Sequence, residues 1–240
     1  MLERMLMKSS FVSLAAMAFL AGCSAAVSSP SPTGSTAARP VVIELFQSQG
    51  CSSCPPALAV FAQEADRRDV IALNFAVTYW DQLGWKDQFA RPEFTARQWD
   101  YARAGGRGNV QTPQLIVDGR AAVLGSRKAE VDAAIAAAQG KPGPSLSVSG
   151  SQVAVGKGAA ARATVLLVDF DPRAVAVPIG TGENGGRTLV HRNIVTKITT
   201  LGKWSGAPAT YQLPAIKSGL ARAIIVQQDM GGPILAAGRA

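Results

Sequence analysis

Two cysteines separated by two serines, Cys51-Ser52-Ser53-Cys54, are the residues of this 240-residue chain best suited to chemistry. Vicinal thiols at this spacing close into a disulfide and reopen by thiol–disulfide exchange, whose nucleophile is the thiolate. A free thiol ionises only above about pH 8.5, so an active pair needs surroundings that stabilise the anion. The third cysteine, Cys23, stands apart, after an apolar run. Cys51 and Cys54 therefore bond to each other or to a partner molecule. Two other readings of the pair stay open at this point. An inert structural disulfide has the same spacing, and a copper site would use both thiolates with His191, the single histidine. Zinc is disfavoured, because one cysteine pair and one histidine cannot supply four of its usual ligands.

The elements that must position the pair are legible around it. Residues 41–46 are β-branched and largely apolar, as in a strand buried on both faces. From Pro55 onward, Leu58, Phe61, Ala62 and Ala65 mark one face of a helix. A second buried strand is expected at 70–77. Helical spacing returns from Pro92 through Phe94, Gln98 and Tyr101 and stops at Gly105-Gly106. Residues 112–124 read as a β-hairpin turned at Asp118-Gly119. Ser126 is placed to cap a last helix carrying Val131, Ala134, Ile135 and Ala138. The loop before the hairpin offers Arg103 or Arg107 for a substrate contact.

Helical patterning stops at residues 139–144, a Pro/Gly-punctuated break. Beyond it, alternating runs at 145–155, 163–168, 191–195, 223–227 and 233–237 predict short strands. The fold class expected is an α/β domain over 40–140, ordered β-α-β-α-β-β-α, followed by a small antiparallel β-sandwich over 141–240. The formal charge is +8, and residues 145–240 carry ten Lys/Arg against four Asp/Glu. The basic residues are scattered, which fits a solvated face and gives no reason to expect nucleic acid as a partner.

At the N-terminus, a charged stretch ending at Lys8 precedes an apolar run at 11–21 that is shorter than the roughly 20 residues needed to span a bilayer. The build is that of a secretory signal. Its ending, Leu20-Ala21-Gly22-Cys23, resembles the lipobox of bacterial lipoproteins. The resemblance implies a signal over 1–22, lipidation of Cys23 and anchoring in the cell envelope facing the periplasm. With Ser24 after the cysteine, it implies the outer membrane in a Gram-negative host. Residues 23–39, small and Ser/Thr/Pro-rich, are expected to form a flexible tether.

The element order, with Cys-x-x-Cys after the first strand and Thr112-Pro113 before the hairpin, resembles the thioredoxin superfamily. The string at 44–56, Tyr79-Trp80-Asp81 with Leu83-Gly84-Trp85, and Gly182-Glu183-Asn184 with residues 187–193 resemble the exported bacterial thioredoxin-like proteins of the DUF1223 family. That resemblance spans about residues 41–240. It implies that Cys51 attacks, Cys54 resolves, and Pro113 in a cis peptide with Thr112 holds the substrate. Electrostatics agrees, since a thiolate at Cys51 would be favoured by the positive end of the following helix. Trp80 is a candidate wall of the substrate groove and Asp81 a candidate proton acceptor, although such residues also pack cores and cap turns. No organic cofactor is expected, because the pair itself carries the electrons. The expected partners are a protein or small-molecule thiol or disulfide and a redox partner. A non-catalytic binding module with a structural disulfide is the rival reading.

Overall fold

Side chains alternate to both faces of β1 (Val41–Gln47), and all seven residues are buried. Val41, Ile43 and Leu45 enter one core, while Val42 and Phe46 enter another. This is the burial expected of a strand covered on both sides. The computed structural model, which describes residues 39–159, 162–229 and 231–240, sets β1 inside an eight-stranded mixed sheet. The expected signal, Cys23 and the tether up to residue 38 lie outside the described residues. No helix among the described residues is long and apolar enough to cross a membrane.

The first elements follow the expected order. β1 leads to α1 (Pro55–Ala65), β2 (Val70–Ala76), α2 (Pro92–Ala104), β3 (Gln114–Val117), β4 (Ala121–Leu124) and α3 (Lys128–Ala138). β2 runs parallel to β1 with Val41 opposite Val70, and β3 runs antiparallel with Leu45 opposite Leu115. Both α1 and α2 open with a proline, which fits where no intrahelical N–H is required. The hairpin turns at Asp118 and Gly119, both at positive φ, with Arg120 N–H donating to the Val117 carbonyl at 2.9 Å. Ser126 does not cap α3; the capping position falls one residue later, on Arg127, which makes no side-chain cap bond.

After α3 come β5 (Leu146–Ser149), β6 (Gln152–Val155), β7 (Ala163–Asp171), β8 (Val175–Pro178), β9 (Thr188–His191), β10 (Ile194–Trp204), β11 (Ala209–Gln212), β12 (Ala221–Gln228) and β13 (Ile234–Arg239). They do not build a separate sandwich. The large sheet runs β13-β12-β7-β10-β2-β1-β3-β4, so four late strands extend the edge of β2. β5, β6 and β11 form a small sheet over Val165, Leu167, Ile224 and Val226, and β8 pairs with β9 as a hairpin. The Pro/Gly break at 139–144 is therefore no domain linker. Gly143 passes so close to the Leu235 carbonyl that a Cβ there would collide with it, which is why the position tolerates glycine. The strand expected over 191–195 is interrupted by Asn193, at φ 49°, whose carbonyl and side chain bond Asn74 and Ala72 of β2.

The sheet curls until its far end returns to its middle. Ile234 N–H donates to the Asp118 carbonyl at 2.9 Å, and Arg239 donates to the Val70 carbonyl. Between the two arms, buried Glu44 of β1 accepts from Arg97 of α2 at 2.7 Å. The same guanidinium donates to Tyr101 Oη and to Gln227 Oε1 of β12. A buried carboxylate of this kind is tolerable only while its cation is present. Arg97→Met should therefore lower the unfolding free energy by about 3–5 kcal/mol in urea titrations, whereas a loss under about 1 kcal/mol would mean that the pair does not join the arms.

Candidate functional site

The chain leaves β1 at Gln47, turns through Ser48, Gln49 and Gly50, and enters α1 through the two cysteines. Cys51 N–H donates to the Ser48 carbonyl at 3.2 Å, and Cys54 N–H to the Cys51 carbonyl at 3.1 Å. Cys54 is the capping residue of α1, its carbonyl accepting from Ala57 and Leu58. The two cysteines are joined as a disulfide with their Cα atoms 5.4 Å apart. Neither has exposed surface (0 % each), while Ser52 and Ser53 between them are exposed. Both sulfurs are therefore covered.

Thr112 and Pro113 come to the same place from the hairpin side. Their peptide bond is cis, the isomer expected. Ser53 Oγ lies 3.3 Å from Cys51 Sγ and 3.5 Å from the Thr112 carbonyl, which it approaches as donor. Trp80 braces this segment, its indole N–H donating to Thr112 Oγ1 at 2.7 Å. Cys51, Cys54, Thr112, Pro113 and Trp80 therefore share one end of the sheet. Asp81 faces elsewhere: its Oδ1 accepts from Asp87 N–H at 3.1 Å, the turn-capping role. Arg103 pairs with Asp100, and Arg107 donates to the Tyr101 carbonyl at the end of α2. A cavity of about 300 Å³ opens beside that helix end, lined by Tyr101, Arg107, Ile116 and Gly232, away from the pair.

Beneath the turn lies a carboxylate that sequence reasoning did not single out. Asp87 Oδ2 accepts from Gln49 N–H at 2.8 Å and Oδ1 from Phe89 N–H at 2.9 Å. Burial pushes its pKa up to about 6, with Asp81 adding to the rise against the backbone donors. Gln49 is held further by Trp85, whose indole N–H donates to Gln49 Oε1 at 2.9 Å.

The other side of the turn is held from far along the chain. The Gly180–Arg187 loop connects β8 to β9 and folds over residues 49–52. Buried Asn184 donates through Nδ2 to the carbonyls of Gln49 and Cys51, each at 2.9 Å, and accepts from Arg187 at 3.0 Å. Glu183 accepts from Ser52 N–H at 3.0 Å. Gly182, at φ +74°, packs against Gly84 and Trp85, and Thr181 Oγ1 donates to the Gly84 carbonyl. His191, at the end of this hairpin, is fully buried edge-on to Phe89, and burial lowers its pKa to about 4. No cluster of three metal-ligating His, Cys, Asp or Glu side chains occurs among the described residues.

This arrangement joins the segments that a family comparison also spans: residues 42–227 match the model described as a protein of unknown function, DUF1223. The chain belongs to the DUF1223 family. Protein AGR_C_4864 of Agrobacterium tumefaciens, a solved structure, is similar to this DUF1223 chain at 33 % identity. The match covers 83 % of this chain and 92 % of that one, with a TM-score of 0.70. HBP35 of Porphyromonas gingivalis shares the fold at 13 % identity, over 85 % of this chain and 75 % of that one, with a TM-score of 0.53. No curated protein matches the DUF1223 chain.

The raised Asp87 pKa has a sign that can be checked. Its folded value, about 6, lies above its ordinary 3.8, so between these values the folded state holds the extra proton. Stability from this group is full below about pH 4 and lost as pH rises through about 6. Relative to Asp87→Asn, the wild type should lose about 2 kcal/mol between pH 4 and pH 7 in urea unfolding. A difference independent of pH would show that Asp87 titrates normally.

Proposed function

We propose that this DUF1223 protein is a thiol–disulfide oxidoreductase of the cell envelope, built on a thioredoxin-like core and held to the membrane by lipid at Cys23. The observation that carries the reading is the disulfide between Cys51 and Cys54 at the start of α1, with the Thr112 backbone against Ser53. Helix N-termini favour an anion, so the first turn of α1 stabilises a thiolate once the bond opens. The strand order β2-β1-β3-β4, with β1 parallel to β2 and antiparallel to β3, supports the thioredoxin-like core.

In the dithiol form, the Cys51 thiolate attacks one sulfur of a partner disulfide, and the other sulfur leaves as a thiolate that takes up a proton. Cys54, losing its proton, attacks Cys51 Sγ in the mixed disulfide and releases the second partner thiol. The partner gains two electrons and the pair loses two; run backwards, the same steps oxidise a dithiol. Thr112, with its backbone beside Ser53, supplies polar groups for an extended substrate, and Trp80 holds Thr112 in place.

One observation favours a second reading, a binding module stiffened by a structural disulfide: neither cysteine has exposed surface. Trapping separates the two. Reduced Cys54→Ser protein, mixed with glutathione disulfide, should accumulate a mixed disulfide at Cys51, readable by intact mass. Cys51→Ser should form one at Cys54 at least about tenfold more slowly. If neither folded variant takes up glutathione, the binding module is the better account.

A further inference from the structure

Glu183 is exposed, yet its carboxylate is held in one place. Thr181 and Gly182 are fastened to Gly84 and Trp85 on one side, and Asn184 is buried against Gln49 and Cys51 on the other. Between them, Glu183 Oε2 receives the Ser52 N–H at 3.0 Å. That hydrogen bond pulls the carboxyl below its ordinary pKa, so it stays ionised through neutral pH. Ser52 N follows directly on Cys51, and covalent geometry therefore keeps the carboxylate within about 8 Å of Cys51 Sγ.

The cysteines present no surface of their own, so a molecule approaching Sγ meets Ser52, Ser53 and Glu183 at the rim. Arg187 offsets part of the charge. Its guanidinium donates to Asn184 Oδ1, and Nδ2 of the same amide binds the Cys51 carbonyl on the other side. Exposed charges act on one another chiefly within a Debye length, about 8 Å at physiological salt, and the carboxylate meets that limit.

We infer that Glu183 selects the charge of the exchange partner, favouring cationic or neutral disulfides over anionic ones at Cys51; this rests on the exchange reading of the pair. The reaction is the one written above, in which reduced protein and one disulfide give oxidised protein and two thiols. The carboxylate acts on the approach of the partner and takes no part in bond making.

Three probe disulfides isolate the effect at neutral pH: glutathione disulfide (anionic), hydroxyethyl disulfide (neutral) and cystamine (cationic). Glu183→Gln keeps an acceptor for Ser52 N–H and removes the charge. Relative to the hydroxyethyl disulfide rate, the variant should react about threefold faster with glutathione disulfide and about threefold slower with cystamine, both differences shrinking as salt is raised. If all three rates change by one factor, or none changes, Glu183 holds the loop without selecting charge, and the inference fails while exchange stands. If the reduced wild type reacts with none of the three, the exchange reading fails and takes this role with it.

Discussion

Where a turn between a central strand and a helix is buried, its backbone must find protein partners. In this chain that turn carries the cysteines, and neither sheet nor helix satisfies it alone. Asp87 takes the Gln49 N–H from below, and Asn184 covers the carbonyls of Gln49 and Cys51 from above. Trp85 fixes the Gln49 side chain between them. The turn that carries the disulfide is thus held by Asp87, 38 positions downstream of Gln49, and by Asn184, 135 positions downstream of it.

Bringing the second of these into reach is the work of the sheet. Four late strands add to the edge of β2 and curl the sheet back toward β1, so the C-terminal half is part of the same body as the cysteine pair. The β8–β9 hairpin packs its Val177 and Leu189 into the core beneath α1, which sets its tip over the turn. Charge follows the same logic. Glu44 is buried in β1, where an unpaired carboxylate would cost several kcal/mol, and Arg97 reaches it from α2 while donating also to Gln227 of β12.

Much of this was legible in local sequence. The elements through α3, the turn at Asp118-Gly119 and the placing of Thr112-Pro113 near the cysteines follow from periodicity, proline and glycine positions, and the family resemblance. What was missed depends on distance along the chain. Gly182-Glu183-Asn184 stood out as a motif, but no spacing rule says that its side chains bond residues 49–52. Asp87 lies in a loop with no periodic signal, while Asp81, its more conspicuous neighbour in the Tyr-Trp-Asp string, turned out to cap it. Gly143 looked like part of a linker because Pro/Gly clusters mark linkers and tight backbone crossings alike. β8 and β11 were not read as strands, and Asn193 at positive φ split a run that reads as one strand.

The burial of the cysteines gives the account its sharpest edge. A covered pair exchanges electrons only if its turn opens at little cost, and the same hydrogen bonds that seat the turn make it a good structural clip. The reduction potential weighs these directly, because it measures how much the folded protein prefers the bonded form. It would be read by equilibrating residues 40–240 in glutathione buffers and alkylating the free thiols. An exchanger predicts a value of about −120 to −230 mV. A value below about −300 mV, with a large fall in stability on reduction, would contradict the account and leave the pair as a structural clip.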